Sequence, residues 1–372
     1  MQAFWFGVIA VLWAMFFLLE GFDFGVGMLL PVVGTDEPAR QAVVRTIGPV
    51  WDGNEVWLLV AGGATFAAFP AWYAGMFSGF YLAFALLLVG LIVRGIGIEY
   101  RGKAETAAGR AWCDAGFAAG SLIPALLLGV AFGNLLRGVR MDAAGNMTSG
   151  FFSLLNPYAL LGGLTTLTLF AFHGAVFLLL RSSGPVHAAT ARLLPRLAIV
   201  TGAIAVAFLA WTSQVRGGSV SRMLAVVIAV AFLVAALNVI RGREALAFAA
   251  SAVTTLLVPI WVFACLWPDV LPARNHAAWS LTVHNASSSH YTLTVMTIVA
   301  LIMTPIVLAY QAWSYWVFRA RVTGSDLGGD GYGGGGSTRP AGPDGGALGR
   351  TITAARRSAR DMLGDGTAKP HT

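Results

Sequence analysis

Long apolar runs, each near the length that crosses a bilayer, alternate with short polar breaks along most of the 372-residue chain. A span needs about 20 mostly apolar residues. That measure predicts nine transmembrane helices, at residues 4–30, 51–70, 74–98, 115–136, 157–180, 197–214, 220–240, 246–267 and 291–318. The first and last are long enough to tilt or protrude, and the sixth is short. The fold class is therefore all-α and polytopic, with no soluble domain between spans and no fixed-period repeat. After Arg319 the pattern stops. The run GGDGYGGGGSTRPAGPDGG has the composition of a flexible linker. The chain thus divides into a transmembrane helical domain over residues 1–320 and a Gly-rich tail over 321–372, which cannot bury enough apolar surface to order itself.

Composition agrees with the pattern. Hydrophobic residues make up 57% of the chain and charged residues only 11%, with a mean hydropathy of +0.73, whereas soluble domains are about a quarter charged. The net charge of +7 is not a nucleic-acid signal, because the basic residues sit singly in short loops and in the tail. Cys113 and Cys265 fit no metal or redox spacing. The N-terminus lacks the basic start and cleavage site of a signal peptide, so the first apolar run reads as a permanent span.

Lys and Arg residues set the orientation. Loops after the odd-numbered spans hold ten of them, loops after the even-numbered spans hold five, and the tail adds eight to the odd side. The odd loops and the C-terminus are therefore expected in the cytoplasm, and the N-terminus outside.

This orientation turns a scatter of acids into a cluster. Glu20 and Asp23 lie late in the first span, Asp52 and Glu55 open the second, and Arg94, Glu99 and Arg101 close the third. All are brought to the cytoplasmic side. Asp52 and Glu55, three residues apart, share one helix face. Hydrocarbon tolerates ionisable groups poorly, so acids at this depth commonly mark proton or ion paths. Each alone could be a helix-end residue favoured by the dipole or able to snorkel. Clustered, they suggest a proton or cation entrance in which Arg94 or Arg101 holds one carboxylate ionised while a less compensated partner relays protons. Trp51 and Trp57 suit interfacial anchors. Gly62, Gly63, Gly75 and Gly79 would allow close helix contact. His173 is the one histidine deep in a predicted span and reads as a hydrogen-bonded structural residue. His276, His284 and His290 are too irregularly spaced for a zinc site.

Four stretches carry a family likeness: LLEGFDFGVGMLLP at 18–31, WDGNEVWLLVAGGATFAAFP at 51–70, FSGFYLAFALLLVGLIVRGIGIEYR at 77–101 and SLTVHNASSSHYTLTVMTIVALIMTPIVLAYQAWSYW at 280–316. Together they resemble subunit II of cytochrome bd-type quinol oxidases, over about residues 4–320. The Gly-rich tail lies outside that pattern. The resemblance implies a multi-pass protein of the bacterial cytoplasmic (inner) membrane, part of a complex that oxidises membrane quinol and reduces dioxygen to water with protons taken from the cytoplasm. It implies that subunit I is the partner, that subunit I ligates haem b and haem d and carries the quinol-oxidation loop, and that this chain ligates no haem or metal. It also implies contact with quinone or quinol and lipid; members of the family can hold a bound quinone as a structural filler within subunit II, and whether this chain does stays open. Whether a small accessory subunit attaches stays open. The motif Asp, Asp52 here, belongs in the family to a proton path, and Asp23 lies near its entrance. Glu55 and Glu99 are further path candidates. Glu20, Arg94, Arg101, Trp51, Asn54 and Trp57 would supply supporting charge or packing. A second class, a proton- or cation-coupled transporter, would also use buried acids, but would place them near the midplane in inverted halves.

Overall fold

A computed structural model describes residues 1–322, and eleven α-helices account for nearly all of them. The tail expected from residue 321 onward lies outside the described residues beyond Val322. Helix α1 (Gln2–Val33) runs through the middle of the bundle and packs against α3 (Trp51–Ala68), α6 (Ala107–Arg137), α7 (Pro157–Arg181) and α10 (Glu244–Leu266). Around them lie α2 (Glu37–Ile47), α4 (Pro70–Gly79), α5 (Tyr81–Arg101), α8 (Gly184–Arg216), α9 (Ser219–Ile240) and α11 (His290–Val317). A small antiparallel pair, β1 (Asp269–Leu271) and β2 (Leu281–Thr282), caps one end.

Eight of these helices (α1 and α5 to α11) are long and apolar enough to cross a membrane. The second expected span, α3, is not among them: Asp52, Asn54 and Glu55 fall in its 18 residues. Boundaries moved where local chemistry outranked apolar length. The expected spans at 51–70 and 74–98 are three helices: Pro70, which lacks an N–H, ends α3 by holding Phe69 out of helical geometry (φ −136°, ψ 68°), and a second break at Phe80 (φ −100°, ψ 17°) divides the expected third span between α4 and α5. The short sixth span is in fact the 33-residue α8, which continues back through Arg196 and Arg192 to Gly184. Charge interrupts an apolar count but not a helix. The loop at 31–50 contains α2, whose start is capped by the Asp36 carboxylate accepting from the Ala39 N–H at 2.8 Å.

Close helix contact falls at glycines other than those expected. A Cβ on Gly25 would lie 2.0 Å from the Phe170 carbonyl oxygen, so α1 and α7 touch backbone to backbone there. A Cβ on Gly120 would lie 2.6 Å from the Arg94 nitrogen, so α6 lets α5 approach and draws Arg94 inward. Gly62 and Gly63 instead face open space, while Gly75 and Gly79 meet loop residues including Leu271 and Met147.

The connections sort onto two faces in strict alternation. On the first, Glu37 meets Arg101, Arg40 meets Asp114, and Glu244 meets His187 and Arg321. On the second, Gln2 bonds Ser287, the Ser288 N–H reaches the Ala68 carbonyl at 2.8 Å, and Arg216 pairs with Asp269.

Candidate functional site

Arg94 on α5 is the centre of the acid cluster. Its side chain is fully buried and ion-paired with Glu20 on α1, which is equally buried. Asp23, one turn along α1, lies 3.9 Å away, and Glu55 on α3 lies 3.6 Å away. The rings of Phe24 and Trp51 flank the guanidinium, with centroids at 4.9 and 5.8 Å. Three carboxylates thus share one guanidinium. The Glu20 Oε2, Asp23 Oδ1 and Arg94 Nε and Nη2 atoms are buried without a hydrogen-bond partner. Buried charge costs several kcal/mol unless compensated, and here carboxylates outnumber the cation. The cluster has the chemistry of a proton-holding site.

A polar relay joins it to the last helix. Asn54, fully buried beside Glu55, donates to the Asp23 carboxylate at 2.7 Å. Its carbonyl oxygen accepts from Gln311 Nε2 at 3.0 Å and the Tyr315 hydroxyl at 2.8 Å. Gln311 and Tyr315 escaped the sequence reading, although a lone amide in the apolar run VLAYQAWSYW was the available signal.

The other expected residues divide. Arg101 belongs to a separate group at the end of the bundle, where it holds Glu37 through two hydrogen bonds of 3.0 and 3.1 Å and Asp114 through two more, one from Nε and one from Nη2 at 3.3 Å. Asp114 also reaches Arg40 at 3.3 Å. It too was missed, since a single acid just ahead of a predicted span reads as a loop residue. Glu99 is half-buried and joins neither group. Trp57 is buried. Asp52 is exposed on α3, and among the described residues its carboxylate accepts from the next residue's N–H alone, at 2.7 Å.

The described residues offer no cluster of three or more His, Cys, Asp or Glu arranged for a metal. His173 does not fit a haem ligand. Its Nδ1 bonds the Ser251 hydroxyl at 2.9 Å and its Nε2 sits 3.1 Å from the Leu18 carbonyl oxygen, so both ring nitrogens are engaged.

The family described as cytochrome bd terminal oxidase subunit II matches residues 1–318. The chain belongs to that family. Subunit 2 of the cytochrome bd ubiquinol oxidase of Bacillus subtilis is 40% identical, over 86% of this chain and 96% of its own length. The cytochrome bd-I ubiquinol oxidase subunit 2 of Escherichia coli K12 is 34% identical, over 87% and 95%. A solved bd oxidase structure from Geobacillus thermodenitrificans contains a chain of the same fold, with a TM-score of 0.67 and 17% identity, covering 86% of this chain and 97% of that one. As a subunit II, the protein is part of a quinol oxidase complex with a subunit I partner. Its place is the bacterial inner membrane, which it crosses several times. The transporter reading falls away.

Proposed function

We propose that this subunit II is haem-free, supports the haem-bearing subunit I, and carries part of the path by which cytoplasmic protons reach the oxygen-reducing site. The haem b and haem d groups of subunit I supply electron transfer and oxygen reduction. This chain's own residues receive and hold protons. The observation that carries the reading is the juxtaposition on α3: Asp52 is exposed, and one turn further in Glu55 contacts the buried Arg94, Glu20 and Asp23 group. Asp52 presents a carboxylate that can load from water. The inner acids provide sites where a proton replaces a missing counter-charge.

The flank of α3 that carries Asp52 continues as Val56, Leu59 and Phe66, all exposed, and Gly62 and Gly63 on this helix have nothing of this chain against them. Small residues facing outward let a second helix approach closely. This flank is assigned to subunit I, with α3 as the ninth span. A bound structural quinone would fit best at the edge of this flank, in an apolar groove of about 310 Å³ that Gly62, Gly63 and Phe66 share with Phe77 on α4 and Leu87 on α5, where an isoprenoid chain could lie. Glu99 is retained only as an outlying member of the path. A small accessory subunit has no assigned surface here.

Two measurements test the reading. Expressed without subunit I, the chain should be poorly stable and show no haem absorption, while co-expression should yield both the complex and its haem spectrum; a stable, haem-containing subunit II alone would refute the assignment. Alkaline phosphatase fused after Arg319 should be inactive and a fluorescent reporter there active, since the first face holds the odd-numbered loops and their surplus of arginines. Phosphatase activity at that point would invert the path.

A further inference from the structure

The face opposite the proton entrance carries its own charge anomaly. Its arginines are Arg137, Arg140, Arg216, Arg222 and Arg274, on the side where basic residues are normally sparse. Arg216 is paired with Asp269 at 3.1 Å, and Arg222 donates to the Gly218 carbonyl. The remaining three converge on one polar cavity of about 330 Å³. None of them makes a side-chain hydrogen bond or ion pair among the described residues, and Arg137 and Arg274 are close enough to repel each other.

The convergence is built by the main chain. The Val139 N–H donates to the Pro272 carbonyl at 3.0 Å, and the Arg274 N–H donates to the Val139 carbonyl at 2.8 Å. One residue on, Asn275 and the Met141 backbone exchange two hydrogen bonds of 2.8 and 2.9 Å. Gly138 makes the approach possible. Its φ of +80° suits only glycine, and a Cβ there would stand 3.1 Å from the Pro272 carbonyl oxygen. Among the described residues no acid pairs with the three charges. Asp142, in the same loop, turns its carboxylate back onto the N–H groups of Ala144 and Asn146, which hold its carboxyl below the usual range. Thr148 and Ser149 add hydroxyls to the lining.

We propose that Arg137, Arg140 and Arg274 form a binding site for a phosphate-class oxyanion on this outer face, either a free phosphate or the headgroup of an acidic phospholipid. Guanidinium groups suit such oxygens because their N–H donors are fixed in a planar fork. The site lies at the ends of α6 and the β1–β2 loop, away from Arg94, so its occupancy is separable from turnover.

The test uses the assembled oxidase in zwitterionic nanodiscs and phosphate-free buffer. Inorganic phosphate, titrated by calorimetry, should bind the wild type and bind R137Q/R274Q at least about tenfold more weakly. Native mass spectrometry should show phosphatidylglycerol retained by the wild type and lost from the variant if the source is lipid. Phosphate binding identifies a free-anion site; selective phosphatidylglycerol retention alone identifies a headgroup site. R274Q should also raise the melting temperature in anion-free buffer by relieving repulsion, which a merely structural arginine would not do. Should the double variant fail to assemble, R140Q, altered at an exposed side chain, gives the same comparison. Equal phosphate affinity and equal lipid retention in wild type and variants would overturn the site.

Discussion

Arg94→Met is expected to abolish accumulation of the assembled oxidase. The substitution keeps an unbranched side chain of similar reach but removes the one cation that, among the described residues, pairs with Glu20, Asp23 and Glu55. Breaking a buried ion pair by deleting one partner costs about 3–5 kcal/mol, because the surviving charge keeps its desolvation penalty. Total stability is only about 5–15 kcal/mol, and here three carboxylates lose their compensation at once. Arg94→Lys should accumulate at an intermediate level. Lysine retains the charge as a single point and cannot fork between carboxylates on two helices. Glu20→Gln placed on Arg94→Met should recover part of the loss by removing the acid most tightly bound to the guanidinium. The measurement is the haem-containing complex recovered per membrane protein. Wild-type yield from Arg94→Met would mean that the acids are neutral without it and that the guanidinium does not hold the cluster.

Helix positions, buried acids and long-range contacts left signals of unequal strength in the sequence. Apolar length located the helices, since burying or lipid-exposing 20 residues leaves a signal that no local feature hides. It could not locate the break at Phe80 or the extension of α8 through its arginines, because a helix can break inside an apolar run and continue beyond one. Acids in or at the ends of the first three spans were visible as anomalies, and orientation brought them to one side. Their division was not visible. Arg94 and Arg101 are two helical turns apart on one face of α5, and only the tertiary packing puts the first among Glu20, Asp23 and Glu55 and the second at the rim with Glu37 and Asp114. Asn54, Gln311 and Tyr315 meet across 257 and 261 positions of chain. Nothing in spacing along one helix can announce such a contact. The outer arginine group was equally hidden. Arg137, Arg140 and Arg274 entered the sequence reading only as members of the five basic residues of the even-numbered loops, and the backbone bridge between residues 139 and 274 makes them neighbours.

Asp52→Asn is expected to assemble with normal haem content yet consume oxygen at least about tenfold more slowly, a factor worth about 1.4 kcal/mol of barrier. The site geometry separates this outcome from that of Arg94. Asp52 is exposed, takes no part in the ion pairs around Arg94, and among the described residues accepts from the Gly53 N–H alone. Asn offers an oxygen in the same place and so preserves that hydrogen bond and the turn of α3. What it cannot do is carry a titrating proton. Asp52→Glu should restore part of the rate, being ionisable but one methylene longer. Asp23→Asn should behave differently, because the Asp23 carboxylate accepts from Asn54 at 2.7 Å inside the bundle. An amide there can still accept from Asn54 but removes a carboxylate that faces the buried Arg94, so its effect should fall on assembly more than on turnover. Oxygen consumption per haem, measured with quinol in excess, distinguishes the cases. A haem-replete Asp52→Asn complex at wild-type rate would reduce Asp52 to a helix-end residue, and loss of haem along with activity would assign it to the contact with subunit I.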